Sequence, residues 1–431
     1  MWFFFLIPGK TAKRAAVSCL VLLSTAVSAT PGLEAGKHTI SLHEAVTRTI
    51  EHNPDLRAFD YQLKAQEGRV MQAGRAPSPE LNLELEDVLG TGAHRGMDSA
   101  QTTLSIGWVL ERGIRQRHID AARAGSSLFS VEADIKQLDA AAETARRYLV
   151  SLAYQARRVN ADKTVQLAKE TTDTVRRRVK AGKTPEAELS RALAELARRK
   201  LQREDIEHEL LSANRRLAAQ WGETTADFTQ VEGNIISRPR LTSFETLKSR
   251  IQQNPEFARL LSDQRLKKAE LQLAQAQNRA PWQVNAGVRY IASSNDMAFV
   301  TGITIPFGKH TRNPGRIAEA NADLEKINLQ EKAMQVDIET TLYVMYEKLQ
   351  HALHVIDALR DEIIPPLEQA LGETRRAYNL GRYSYLELRS VQAELLDAHN
   401  ALIESSVDAR RSIIEIERLT GVSIAQPSSN P

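Results

Sequence analysis

Residue types that commonly do chemistry are thinly spread in this 431-residue sequence. His351 and His354 stand three apart, a spacing that stacks two imidazoles on one helical face, as a metal site would need. The other histidines are scattered, and no metal site is expected. Gly90-Thr91-Gly92-Ala93-His94-Arg95-Gly96 superficially resembles a dinucleotide-binding loop and follows a strand-like segment. That fingerprint needs a helix next. A second strand pattern follows instead, so the segment reads as an exposed hairpin loop. The single cysteine, Cys19, sits inside an apolar N-terminal run. No nucleophile elbow, P-loop or zinc-protease motif occurs. The expectation is a protein that is not an enzyme and carries no cofactor.

The N-terminus supplies a different kind of signal. Lys10, Lys13 and Arg14 precede an apolar run from Ala15 to Val27, and Val27-Ser28-Ala29 offers small residues for cleavage. That order of basic, apolar and small residues is a secretory signal, expected over 1–29. Removing it takes away three cations and no acid, leaving 54 basic and 54 acidic residues. A balanced mature chain gives a nucleic-acid partner no electrostatic support. It would also contain no cysteine, hence no disulfide or thiolate site. No later stretch is apolar for the ~18 residues of a membrane helix.

The elements that any site must rest on are long helices. Hydrophobic content is 42%, too high for a disordered chain, while aromatics are only 5%, and Ala, Leu, Glu, Arg and Gln abound. Ser41 through Leu56, with Asn53-Pro54-Asp55, resembles Ser243 through Phe257, with Asn254-Pro255-Glu256. Arg75-Ala76-Pro77 returns as Arg279-Ala280-Pro281, Ala181-Gly182-Lys183 as Leu380-Gly381-Arg382, and Trp221-Gly222 as Thr420-Gly421. A repeat of roughly 200 residues is too long for a solenoid unit of ~20–50 and implies duplication of a whole module. The expected division is a first repeat over 30–222, a connector over 223–240, a second repeat over 241–421 and a flexible tail over 422–431.

Each repeat has one internal order. A helix is expected over about 41–75 and 243–278, stopped by Pro77 or Pro281. Two alternating segments follow. Leu81, Leu83 and Leu85 alternate with acids and Asn82, and Leu104, Ile106, Trp108 and Leu110 alternate with small or polar residues. In the second repeat Trp282, Val284, Ala286, Val288 and Tyr290 form one such series, and Phe299, Thr301, Ile303, Ile305 and Phe307 another. Period two predicts four half-buried strands of about nine to eleven residues, joined by loops at 90–100 and 292–298. Then come stretches without Gly or Pro, 126–181 and 316–364, long enough for helices of roughly 100 Å. A glycine turn and a returning helix close each module, over 186–220 and 385–420. Their apolar seams step by three and four, as in coiled coils. Arg199, Arg203, Ser405 and Ser412 interrupt them, which suggests packing against several neighbours.

Strands of about ten residues match membrane β-strands. Trp108, Trp282, Tyr290, Phe299 and Phe307 on the apolar faces suit a membrane-interface girdle, and the polar faces suit a wet lumen. Alone, the strands favour a small sheet inside a soluble helical protein, with Trp and Phe as core. The export signal and the paired long hairpins favour the membrane reading. Four strands cannot close a membrane barrel, whose minimum is ~8, and an open edge is forbidden in lipid. Several chains must then share one barrel, two or three of them on this argument alone.

The run Gln72-Ala73-Gly74-Arg75-Ala76-Pro77-Ser78-Pro79-Glu80-Leu81-Asn82-Leu83-Glu84-Leu85-Glu86 resembles the TolC-like outer membrane efflux proteins, and within them the cobalt–zinc–cadmium resistance branch. Thr103-Leu104-Ser105-Ile106 leading into Glu111-Arg112-Gly113-Ile114-Arg115 and Asp120-Ala121-Ala122-Arg123-Ala124 does the same. The resemblance spans about 41–421. It implies a mainly α fold with a small β part, built from duplicated helix, β-hairpin and long helical-hairpin modules. It implies a homotrimer whose twelve-stranded outer-membrane barrel continues as a periplasmic α-helical barrel. It implies a passive exit duct for heavy-metal cations, partnered by a periplasmic adaptor, an inner-membrane pump of the resistance-nodulation-division type and outer-membrane lipid. Multidrug efflux or type I protein secretion is the alternative cargo. A periplasmic coiled-coil adaptor or scaffold is the alternative class, although an adaptor has one hairpin and several β-modules. By this resemblance the turns Ala181-Gly182-Lys183 and Leu380-Gly381-Arg382 form the adaptor-contact tip, where the plain reading is helix termination by glycine. Glu188 and Glu387, six residues past each glycine, become a possible acidic ring of the pore, where the plain reading is a solvated helix face. A second acid that some relatives place nine residues past this glycine is replaced by Arg191 and Ser390.

Overall fold

The computed structural model describes residues 38–111, 113–279, 281–307 and 313–421. The expected signal over 1–29 with Cys19, the tail over 422–431, and Arg112 and Ala280 of the motifs lie outside the described residues.

Each repeat opens with helices set by side-chain caps. A short strand β1 (Thr39–Ile40) leads into α1 (Leu42–His52), whose first turn is capped by the Ser41 hydroxyl accepting from the Glu44 amide at 3.2 Å. The single helix expected over 41–75 is in fact two, because α2 (Pro54–Ala73) starts afresh at Pro54. Proline has no N–H to donate backwards, and Asn53 supplies the new cap, its Oδ1 accepting from Asp55 and Leu56 amides at 2.9 and 3.1 Å. Asn53 also donates from Nδ2 to the Gln220 carbonyl, 2.7 Å away.

The β-hairpin follows as β2 (Glu80–Glu86) and β3 (Gln101–Leu110), then the 67-residue α3 (Ile114–Lys180), about 100 Å long at ~1.5 Å per residue. The chain returns along α4 (Glu186–Ala218). The connector contains β4 (Gln230–Val231), which pairs in parallel with β1, a link without any sequence signal at two residues per strand. Tyr148 on α3 donates to the Ile40 carbonyl at 3.1 Å and the Glu232 carbonyl at 2.5 Å, and so fastens both strands to the helix.

The second repeat restates this frame. Helix α5 (Phe244–Ser249), a 3₁₀ turn and α6 (Pro255–Gln277) replace the one helix expected over 243–278. Asn254 accepts from the Glu256 amide at 2.8 Å and donates to the Leu419 carbonyl at 2.9 Å, the counterpart of the Asn53 contacts. Strands β5 (Trp282–Ile291) and β6 (Asp296–Thr304) follow. The expected extension to Phe307 fails at Pro306, which cannot donate to a ladder. Phe307 lies beyond the strand, fully exposed. Strand β2 has seven residues, fewer than expected.

The ascending helix of the second hairpin is α7 (Pro314–Asp357), a π turn over Ala358–Ile363, then α8 (Ile364–Asn379), and α9 (Tyr385–Thr420) returns. Pro365 and Pro366 do not break the rod. The wide turn just before them places both in the first turn of α8, where amide donors have no intrahelical partner anyway. Helix α3 contains no such interruption.

The four strands form one antiparallel sheet in the order β2-β3-β5-β6. Register puts Leu83 opposite Leu104, Leu104 opposite Val288, and Val288 opposite Phe299. All four lie on one face, and all four are exposed. Buried apolar side chains gather elsewhere. One cluster joins α1, α3, the end of α4 and the connector, including Tyr148, Leu217 and Trp221. Another joins α5, α7 and α9, and a small third lies at the hairpin tips.

Candidate functional site: the hairpin tips and the sheet face

The tips are built from two matched helix endings. After α3, the Gly182 amide donates to the Val179 carbonyl and the Lys183 amide to the Arg178 carbonyl, both at 2.9 Å. After α8, Gly381 donates to Tyr378 at 3.0 Å and Arg382 to Ala377 at 2.9 Å. This is the Schellman closure, and it needs a residue at positive φ. Gly182 sits at +68° and Gly381 at +77°, where any side chain is strained. The six expected tip residues thus form two exposed turns that the fold brings together within one chain.

What joins the turns was not foreseen from the sequence. Arg178, on α3, donates to the backbone carbonyls of Tyr378 and, at 3.1 Å, Asn379 at the end of α8. Carbonyls of a last helical turn keep lone pairs for such a donor, the Tyr378 carbonyl accepting from the Gly381 amide as well, and a cation suits that end of the dipole. The same guanidinium lies 4.7 Å from the centre of the Tyr378 ring. Tyr378 is buried, packed with Val175, Ala192, Tyr385 and Leu388. Its hydroxyl donates to Glu188 Oε2 at 3.2 Å. Burial first, and then the Glu188 charge, push the Tyr378 phenol up to about 12. The first hairpin therefore supplies a cation and an acid, and the second supplies the tyrosine between them.

Glu188 and Glu387 occupy equivalent positions but do different things. Ser384 caps α9, and Glu387 closes a reciprocal capping box on it, accepting from the Ser384 amide at 2.6 Å. That hydrogen bond holds the Glu387 carboxyl below the usual range. The corresponding cap position before α4 is Pro185, which has no side-chain acceptor, and no such box forms. Glu188 is free of capping and turns to Tyr378 instead. A signal for this existed in the duplication. Arg178 aligns with Ala377 and Tyr378 with Val179, so the repeat breaks where the contact forms.

On the sheet, Trp108, Tyr290 and Phe299 are exposed on the apolar face, with Trp282 half-buried on the same face. Phe307 is exposed past the strand end. The opposite face is polar. Arg289 there pairs with Glu86 at 2.8 Å and donates to Thr103 at 2.9 Å and Gln101 at 3.0 Å. His351 and His354 are both exposed, and among the described residues no cluster could hold a metal ion. The Gly90–Gly96 segment is a closed loop with the Gly90 amide on the His94 carbonyl. Among the described residues no helix is long and apolar enough to cross a membrane.

This architecture has known counterparts. The model of the outer membrane efflux protein family matches residues 45–223, the span of the first repeat. Over that span the chain resembles the family. It is 23% identical over 384 residues to the cobalt-zinc-cadmium resistance protein CzcC of Cupriavidus metallidurans, covering 89% of this chain and 90% of that one. Among solved structures it superposes on the transmembrane channel CusC with a TM-score of 0.73 at 16% identity, covering 89% of this chain and 92% of that one. The outer-membrane channel OprN gives 0.71 at 18%, with 89% and 91% covered. The outer membrane protein VceC of Vibrio cholerae gives 0.68 at 18%, with 89% and 96% covered. The fold is therefore TolC-like, mainly α with a small β part. CusC is a transmembrane channel, OprN an outer-membrane channel and VceC an outer membrane protein, and this chain shares their fold.

Proposed function

We propose that the protein is the passive exit duct of a tripartite resistance-nodulation-division efflux system and carries heavy-metal cations. One observation carries the duct reading. A four-stranded sheet exposes most of its apolar face and leaves β2 and β6 as open edges. In lipid each edge must pair, so β2 of one copy meets β6 of the next. Three copies give twelve strands, a homotrimer whose polar faces line a wet lumen and whose apolar faces meet outer-membrane lipid. Trp108, Trp282, Tyr290, Phe299 and Phe307 then serve as interface aromatics. The units of duplication are 30–222 and 241–421, joined by 223–240. The likeness to a cobalt-zinc-cadmium resistance protein supports the metal cargo.

The tips, Ala181, Gly182, Lys183, Leu380, Gly381 and Arg382, meet the periplasmic adaptor, which links the duct to the inner-membrane pump. Glu188 and Glu387 stand near the axis as the acids of the pore entrance. Opening separates the second hairpin from the first and breaks the Tyr378 contacts to Arg178 and Glu188. A deletion strain tested against metals beside dyes and detergents checks the cargo. Sensitivity to zinc, cobalt, cadmium, copper or silver that the intact gene restores supports the reading. Sensitivity confined to organic compounds moves the duct to drug efflux. A monomer in the aqueous fraction sinks it altogether.

A further inference from the structure

The hairpin tips carry charge out of proportion to the rest of the chain. Within six residues of Gly182 and of Gly381, at 176–188 and 375–387, stand eight basic residues and three acids. The whole sequence is nearly balanced, at 57 basic to 54 acidic. Several of the eight are committed inside the protein. Arg176 pairs with Asp173 at 2.5 Å, Arg375 with Glu170 at 2.8 Å, and Arg178 holds the carbonyls at the end of α8. Lys180, Lys183, Arg376 and Arg382 are exposed, and none has a side-chain partner among the described residues. Of the three acids, Glu188 is engaged by Tyr378 and Glu387 by its own helix cap. The third, Glu186, is exposed and is the one carboxylate left against these four cations among the described residues of the two turns.

The same end displays apolar surface on one hairpin only. Leu380, Tyr383 and Leu386 are exposed around the second turn. Their counterparts in the first repeat are Ala181, Thr184 and Ala187. A contact with a larger apolar centre on one hairpin and small residues on the other, rimmed by cations, has the anatomy of a protein interface. A second copy docking tip to tip would bring like charges together, so it is not the occupant.

We propose that this end is a docking surface for a protein partner whose contact region is acidic around an apolar centre. This rests on the reading of the tip as the adaptor contact and adds the partner's chemistry. It also resolves a conflict in that reading, since a cation duct with net positive charge at its entrance, eight basic residues to three acids, would repel its own cargo over the ~8 Å Debye length. Carboxylates of the bound partner neutralise the entrance, so docking and admission of cations become one event.

The test uses the full chain in detergent and the purified adaptor of the same efflux system. Binding is measured at 50 and 500 mM NaCl for the wild type and for Lys180→Gln, Lys183→Gln, Arg376→Gln and Arg382→Gln combined. Each exposed ion pair is worth about twofold, so the combined variant should bind roughly 16-fold more weakly at low salt. Its thermal stability should match the wild type, because these side chains hold nothing in the fold. The wild type should weaken at high salt and the variant change little. Equal affinity of both proteins at 50 mM NaCl, or wild-type binding indifferent to salt, overturns the acidic partner while leaving tip docking intact. Failure of the adaptor to bind the wild type overturns the docking reading itself. Vesicles containing phosphatidylglycerol serve as a third arm. If they bind through the four cations and the adaptor does not, the surface is for an anionic membrane and the protein partner is refuted.

Discussion

Replacing Tyr378 by Phe isolates one atom of the contact between the hairpins. The ring stays buried among Val175, Ala192, Tyr385 and Leu388, and the Arg178 guanidinium keeps its place over it. Only the hydroxyl that donates to Glu188 at 3.2 Å is lost. A hydrogen bond to a charged group contributes ~1.5–3 kcal/mol, and the half-exposed position of Glu188 reduces this to about 1 kcal/mol. If three copies open together, the closed tip loses about 3 kcal/mol, a shift of roughly 150-fold towards the open state. Single-channel recording in planar bilayers reads this directly as open probability. Tyr385→Phe is the matched control, because that ring lies in the same cluster and its hydroxyl has no hydrogen bond among the described residues. Glu188→Gln should move the equilibrium in the same direction and by less, since the amide oxygen can still accept. A folded Tyr378→Phe channel with wild-type open probability would show that this contact does not hold the tip closed.

Three further outcomes follow from the same geometry. Asn53→Ala and Asn254→Ala should each cost about 2 kcal/mol, one part for the lost cap and one for the carbonyl of Gln220 or Leu419 left without its donor. Denaturant unfolding of the two variants should give nearly equal losses, and a clear difference would refute the equivalence of the repeats. Burial raises the Glu417 carboxyl to about 7, so the folded state favours its protonated form. That contribution is full below pH 4.5 and is lost as pH rises to 7, about 3 kcal/mol in all, and Glu417→Gln should flatten the thermal-stability profile across this window. Leu83→Arg puts a charge on the apolar face of β2 and should cost about 2–4 kcal/mol of membrane assembly, whereas Glu84→Arg one residue later should cost almost nothing. Heat-modifiable trimer in outer-membrane fractions is the readout, and equal yields would refute the assignment of faces.

Much of this fold was legible because its signals are local and repeated. Alternation over Leu81–Leu85 and Trp282–Tyr290 fixed both the strands and their faces, since register in a sheet cannot slip without exposing the wrong side. The absence of Gly and Pro over 126–181 was enough for the long rod. The ends of elements were less legible. Asn53-Pro54 reads as a helix interior by periodicity and as a new start by capping, and the cap won. Pro365-Pro366 reads as a break, yet a wide turn absorbs it, which depends on the pitch of the preceding helix and not on residue type. The β1–β4 pair was invisible, because two residues per strand leave no period to detect. At the tip, both glycines were found and the contact between them was not, since it joins residues roughly 200 positions apart.

That failure has a structural logic. Duplication writes the same residues into both hairpins, so a contact between equivalent positions would set like against like. A link between hairpins needs a donor on one and an acceptor on the other, and identical copies cannot supply both. Here the first hairpin has Pro185 at the cap position, which leaves Glu188 free, and Arg178 where the second has Ala377. The second has Tyr378 where the first has Val179, and Ser384, which occupies Glu387. Three departures from the repeat, at 178/377, 179/378 and 185/384, converge on one buried ring. The caps at Asn53 and Asn254, by contrast, are the same on both sides because each works within its own module. In a duplicated channel the positions where the copies agree therefore mark the frame, and the positions where they disagree and touch mark the parts that act between them.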